Sequence, residues 1–128
     1  MTTRITLTAL LAATILWSLG CTTTQINPGT ETSATYRFGA LNATVNAPIE
    51  ATYKAANQAA GSLGLSVVQG IEGQLNSRIV ARDSEDKKVE MEMLSIAPEK
   101  TKLTIKVDSQ TKAARIYQTI LNQLGMQK

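Results

Sequence analysis

Lys88-Val89-Glu90-Met91-Glu92-Met93 and, beyond Pro98-Glu99, Lys102-Leu103-Thr104-Ile105-Lys106-Val107 are the two runs that decide the fold. In each, apolar and polar residues alternate with a period of two, the spacing at which side chains share one face of a strand. Val89, Met91 and Met93 face one way, and Lys88, Glu90 and Glu92 the other. Leu103, Ile105 and Val107 are set in the same manner against Lys102, Thr104 and Lys106. Alternation this strict predicts neighbouring strands of an antiparallel sheet with one buried and one wet face. Pro98 ends the first run, because it has no N–H to give to a ladder. Met91 and Met93 belong to the core side, since methionines at this period on an apolar face are packing residues.

The same reading extends outward. Residues 83–87 form a polar turn. Residues 75–82 form a strand, with Leu75, Ile79 and Ala81 inward and Arg78 and Arg82 outward. Gly73-Gln74 joins it to a strand at 65–72. Further upstream, Pro48 opens a helix capped by Asn46 or Ala47. Its apolar face is Ile49, Tyr53, Ala56, Ala60 and Leu63, and Gly64 stops it. Residues 36–45 read as the first strand, with Leu41, Ala43 and Val45 on one face and a bulge at Gly39. The last element is a helix with an apolar stripe of Ala113, Ile116, Tyr117, Ile120, Leu121 and Leu124. Asp108, Ser109 or Thr111 caps its start, and Gly125 ends it. The order strand, helix, four strands, helix predicts an α+β domain over residues 35–128. Its two layers are an antiparallel five-stranded sheet and two helices packed on one face.

The chain has 128 residues, room for one compact domain. Its net charge is +3, with basic residues spread among acids, which does not predict a nucleic-acid partner. There is no histidine, so the commonest general base and transition-metal ligand are missing. The single cysteine offers no internal disulfide and no thiolate cluster. No cofactor is expected.

That cysteine has a specific setting. Arg4 precedes an apolar run at residues 5–16, and Ser18-Leu19-Gly20 leads into Cys21. A positive start, an apolar middle too short to span a bilayer and a small residue before the cut make a secretory signal. Ser18-Leu19-Gly20-Cys21 resembles a bacterial lipobox, with Ser18 and Leu19 departing from the usual order of residues. The resemblance implies cleavage between Gly20 and Cys21, with a diacylglyceryl group on the Cys21 sulfur. Thr22 lacks the aspartate that, in Gram-negative sorting, favours inner-membrane retention. The expected location is therefore the outer membrane, facing the periplasm. Removing Arg4 with residues 1–20 leaves a charge of +2. Residues 21–34 are rich in Thr, Ser, Asn, Gly and Pro and read as a lipidated flexible tether.

Several segments carry a family resemblance: Gly39-Ala40-Leu41, the helix around Tyr53 and Ala56, Leu63-Gly64-Leu65, Arg78-Ile79-Val80-Ala81-Arg82, and the closing Ile116, Ile120, Leu124 helix. On these residues the chain resembles a family of small bacterial lipoproteins, domain of unknown function 3568. The resemblance implies a shared fold and no particular activity.

Candidate sites are few. Glu90 and Glu92 lie about 6.5–7 Å apart on one strand face. Paired carboxylates can do acid–base work, but the expectation is pairing with Lys102 and Lys106 across the hairpin. Asp83, Glu85 and Asp86 share a turn without the spacing of a calcium loop. Gly61, Gly64, Gly70 and Gly73 match neither phosphate-loop pattern. Arg78, Arg82, Glu90, Glu92, Lys102 and Lys106 together define a possible partner face. The expectation is a non-enzymatic envelope protein, joined to the membrane through Cys21 and binding an envelope component through that face or a strand edge. The alternative is a carrier or sensor holding a small apolar ligand between helices and sheet.

Overall fold

A computed structural model describes residues 25–26 and 34–125. The leader, the cleavage residues Gly20 and Cys21, and most of the tether lie outside the described residues. In chain order the elements are β1 (Gln25–Ile26), β2 (Ala34–Arg37), β3 (Ala40–Val45), α1 (Ile49–Ser62), β4 (Ser66–Ile71), β5 (Asn76–Arg82), β6 (Lys88–Ala97), β7 (Lys100–Lys106) and α2 (Gln110–Gln123). The strands form one antiparallel sheet in the order β1-β2-β3-β7-β6-β5-β4.

The alternating runs lie together near the middle of this sheet. Met91 pairs with Ile105 and Met93 with Leu103. Ile79 stands beside Met91, and Leu41 beside Ile105. These side chains are almost completely buried, together with Tyr117 and Ile120 of α2. Each aliphatic side chain so buried contributes about 1.5–3 kcal/mol by leaving water. α1 lies over β4, β5 and β6, α2 lies over β3 and β7, and the two helices touch each other. Ala55, Ala56, Ala59 and Ala60, all buried, let α1 approach its neighbours closely. Among the described residues no helix is long and apolar enough to cross a membrane.

The expected five-stranded sheet is corrected to six strands of four or more residues plus the two-residue β1. Residues 36–45 are not one strand. The chain reverses at Phe38 (φ +51) and Gly39 (φ +77), which makes β2 and β3 a hairpin. Two successive positive φ values are the signature of a tight hairpin turn that matches sheet twist. Gly39 is therefore a turn residue; β4 carries an irregularity between Val67 and Gln69 instead. The folded unit also starts before residue 35. Ala34 is fully buried, and Gln25–Ile26, assigned to the tether from composition, pair with Ala34 and Thr35.

Two local expectations also change. Pro48 does not begin α1 but caps it, with extended backbone and no side-chain cap bond. Thr52 Oγ1 donates to the Pro48 carbonyl instead, at 3.0 Å. Leu75 precedes β5 and is exposed, while Ser77 takes the inward position. Of the three expected caps of α2, Ser109 is the one used: its hydroxyl accepts the Lys112 N–H. Gly64 does end α1: its φ is +72, and Leu65 N–H reaches the Ala60 carbonyl at 2.9 Å in a left-handed closing turn.

Candidate partner-binding face

The face of the sheet away from the helices collects Arg78 from β5, Glu90 and Glu92 from β6, and Lys102, Thr104 and Lys106 from β7. The register sets their neighbours. Glu90 lies opposite Val80 on one side and Lys106 on the other, and Glu92 lies between Arg78 and Thr104.

Glu90 is the centre of the charge pattern. Its side chain is only 7% exposed, yet Arg78 Nη2 and Lys88 Nζ each lie 2.9 Å from its oxygens, with Lys106 Nζ at 3.6 Å. Burial favours the neutral acid. Hydrogen bonds from Lys88 and Arg78 outweigh it and hold the carboxyl down at about 2. Lys106 also reaches Glu92 at 3.1 Å, and that bond raises the lysine above its ordinary value. Held ionised by these partners, Glu90 has no proton to give near neutral pH, so this geometry offers no support for it as a general acid.

Lys102 corrects the expectation of cross-strand pairing. Its neighbour on β6 is Leu94, not a glutamate, and it has no carboxylate within ion-pair distance among the described residues. Arg82, also assigned to this face, donates to the Asp86 carbonyl oxygen at 3.1 Å. What Lys102 and Arg78 do share is a depression of about 430 Å³, lined also by Ile71, Asn76, Glu92 and Leu94.

The apolar rim of that depression was missed from the sequence. Ile71 and Leu94 are about half exposed. Leu75 and Ile96, near the same end of the β5–β6 ladder, are exposed as well. A signal was present: Leu94 continues the phase of Glu90 and Glu92, so the alternation itself assigns it to the wet face. β4, the terminal strand on this side, is exposed along its whole length.

The acidic turn is a separate cluster. Asp83 Oδ1 accepts the N–H groups of Glu85 and Lys87, both at 2.9 Å, and Oδ2 takes Lys112 Nζ at 2.9 Å. The Lys112 bond, followed by the Lys87 N–H, lowers the Asp83 carboxyl to about 2. Lys87 bridges Glu85 and Asp108. Two lysines therefore occupy the surroundings a calcium ion would need, and among the described residues no group of acids is arranged to hold a metal.

No curated protein matches the chain. The family model described as Protein of unknown function (DUF3568) matches residues 4–122, a span that takes in both helices' packing residues and every strand of the sheet. By that match the chain belongs to the family described as Protein of unknown function (DUF3568).

Proposed function

We propose that the protein is a non-enzymatic lipoprotein of the bacterial envelope, acylated at Cys21, whose domain binds another envelope component. The order Arg4, apolar run, Gly20, Cys21 supports the anchor. Thr22 supports the outer membrane, with the domain in the periplasm. Two or more acyl chains on one residue make a stable attachment, which a single chain does not.

One observation carries the binding reading: an open depression rimmed by exposed Ile71 and Leu94, beside the exposed terminal strand β4. Strand edges and apolar rims are surfaces that partners cover. The carrier alternative has less support. Tyr117, Met91, Met93, Leu103, Ile105 and Ile120 fill the space between the layers. The depression beside that seam, about 210 Å³, is lined by Asp83, Glu85 and Lys112 as well as Leu65 and Val89.

The test is site-specific photocrosslinking in native membranes, from Leu94 and, as a control, from exposed Gln58 on α1. The expected result is a discrete adduct from Leu94 that Gln58 does not form. The same scatter of abundant neighbours from both positions overturns the binding reading.

A further inference from the structure

Phe38 is 98% exposed, at the tip of the β2–β3 hairpin, with φ +51. The hairpin turn needs the positive φ, but it does not need a phenyl ring at that position. A bulky residue in the left-handed region strains the backbone where Asn or Gly would not, and the ring gains no burial in return. Its described contact is Arg37, whose guanidinium carbon lies 5.5 Å from the ring centroid. The ion pairs among the described residues do not include Arg37. The tip therefore presents an aromatic ring and a cation side by side to solvent.

The topology relates this tip to the anchor. β1 pairs antiparallel with β2, Gln25 opposite Thr35 and Ile26 opposite Ala34. The chain consequently enters β1 from the end of the sheet that carries Phe38. Four Cα steps separate Cys21 from Gln25, a reach of about 14 Å at full extension. On the rim of the depression, Ile71 lies in the middle row, with Arg78, Glu92 and Asn42, and Leu94 lies toward the opposite end. Leu94 sits in the row of Lys102 and Thr44, whereas the row next to the tip is Ala40, Lys106 and Glu90. Four residues along the strand separate the two rows, about 13 Å.

We infer that Phe38 and Arg37 form a second contact with the membrane that holds the Cys21 lipid. The ring enters the boundary between headgroups and acyl chains, where membrane-surface segments bury Trp, Phe and Leu side chains. The guanidinium pairs with the phosphates of anionic headgroups. Two points of attachment fix the orientation of the domain, with the hairpin tip down and the Leu94 end of the depression farther from the lipid. This inference rests on acylation of Cys21.

The chain's one tryptophan, Trp17, lies in the leader, so mature protein gives no tryptophan signal. Acylated mature F38W and L75W, each placed in vesicles of phosphatidylethanolamine and phosphatidylglycerol with brominated acyl chains, supply the test. For F38W the expected result is a blue-shifted emission that loses roughly half its intensity to bromines at the depth of the aromatic belt. L75W should emit as in water and remain unquenched. Unquenched F38W on protein that carries acyl mass and floats with the vesicles overturns the membrane contact and leaves the lipoprotein reading standing. Quenching of L75W equal to that of F38W also overturns it. Protein without acyl mass on Cys21 overturns the lipoprotein reading, and the contact with it.

Discussion

Arg78 and Glu90 are bonded diagonally across the β5–β6 ladder: Glu90 lies opposite Val80, yet its Oε1 is 2.9 Å from Arg78 Nη2. With Lys88 and Lys106 also turned toward Glu90, one nearly buried carboxylate ties three strand positions together. Its cationic partners are about half exposed and can return to water when it is removed. Glu90→Gln should therefore cost about 1–2 kcal/mol at neutral pH, whereas Glu92→Gln, an exposed pair, should cost about 0–1 kcal/mol. Urea titration of both variants measures the difference. Equal costs would contradict the central place given to Glu90.

Glu90 and, in the separate acidic turn, Asp83 should set the acid response. The folded-state value of Glu90 is about 2 against an ordinary 4.5, and that of Asp83 is about 2 against 3.8. A carboxyl lowered in the folded state contributes stability that is complete above its unfolded value. That contribution is lost as pH falls through the folded one. The urea midpoint should be level above about pH 5 and fall steadily from there toward pH 2. Glu90→Gln should make that fall shallower. An unchanged acid slope in the variant would show that Glu90 does not carry it.

Two glycines should respond in opposite ways. A Cβ on Gly73 would fall against the Asn76 carbonyl oxygen, inside a turn already closed by Ser77. Gly73→Ala should destabilise by about 1–3 kcal/mol. A Cβ on Gly61, in the last turn of α1, meets nothing within 4 Å. Gly61→Ala should stabilise by about 0.5–1 kcal/mol through helix propensity. Thermal unfolding of the two variants gives the signs directly.

Phe38→Asn should raise stability by about 1 kcal/mol, because Asn tolerates the left-handed backbone that Phe does not. The cost of the natural residue is then a measured quantity, to be set against the membrane contact proposed for it. A denaturation midpoint that falls in this variant would mean the ring supports the fold.

Met91 and Met93 should behave as packing residues. Met91→Ala should cost about 2–4 kcal/mol by leaving a cavity. Met91→Leu should cost less than about 1.5 kcal/mol. Similar losses for both would point to a role for the sulfur.

Those methionines also show where the sequence was informative. The Lys88 and Lys102 runs contrast strongly between faces, so their pairing, the core side and the sharing of one wet face by Glu90, Glu92 and Lys106 could be read directly. α2 was legible for the same reason, since Ile116, Tyr117, Ile120 and Leu121 repeat at helical spacing. The β2–β3 turn was hidden because Phe-Gly is not a customary turn pair, and an aromatic residue gives no hint of a positive φ. β1 was hidden because two residues carry no period at all. Leu75 misled because an apolar residue in phase with Ile79 looks inward, while the strand begins one residue later. Lys102 was misassigned because alternation gives a face but not a register; only the offset between β6 and β7 places Leu94, rather than Glu92, beside it.

The anchor at Cys21 is the claim from which the orientation, the second contact and the proposed location all follow. Intact mass and peptide sequencing of protein extracted from native membranes test it most directly. The account predicts a chain beginning at Cys21 with diacylglyceryl mass on its sulfur. A chain that keeps residues 1–20, or one that carries a bare thiol at Cys21, would contradict it.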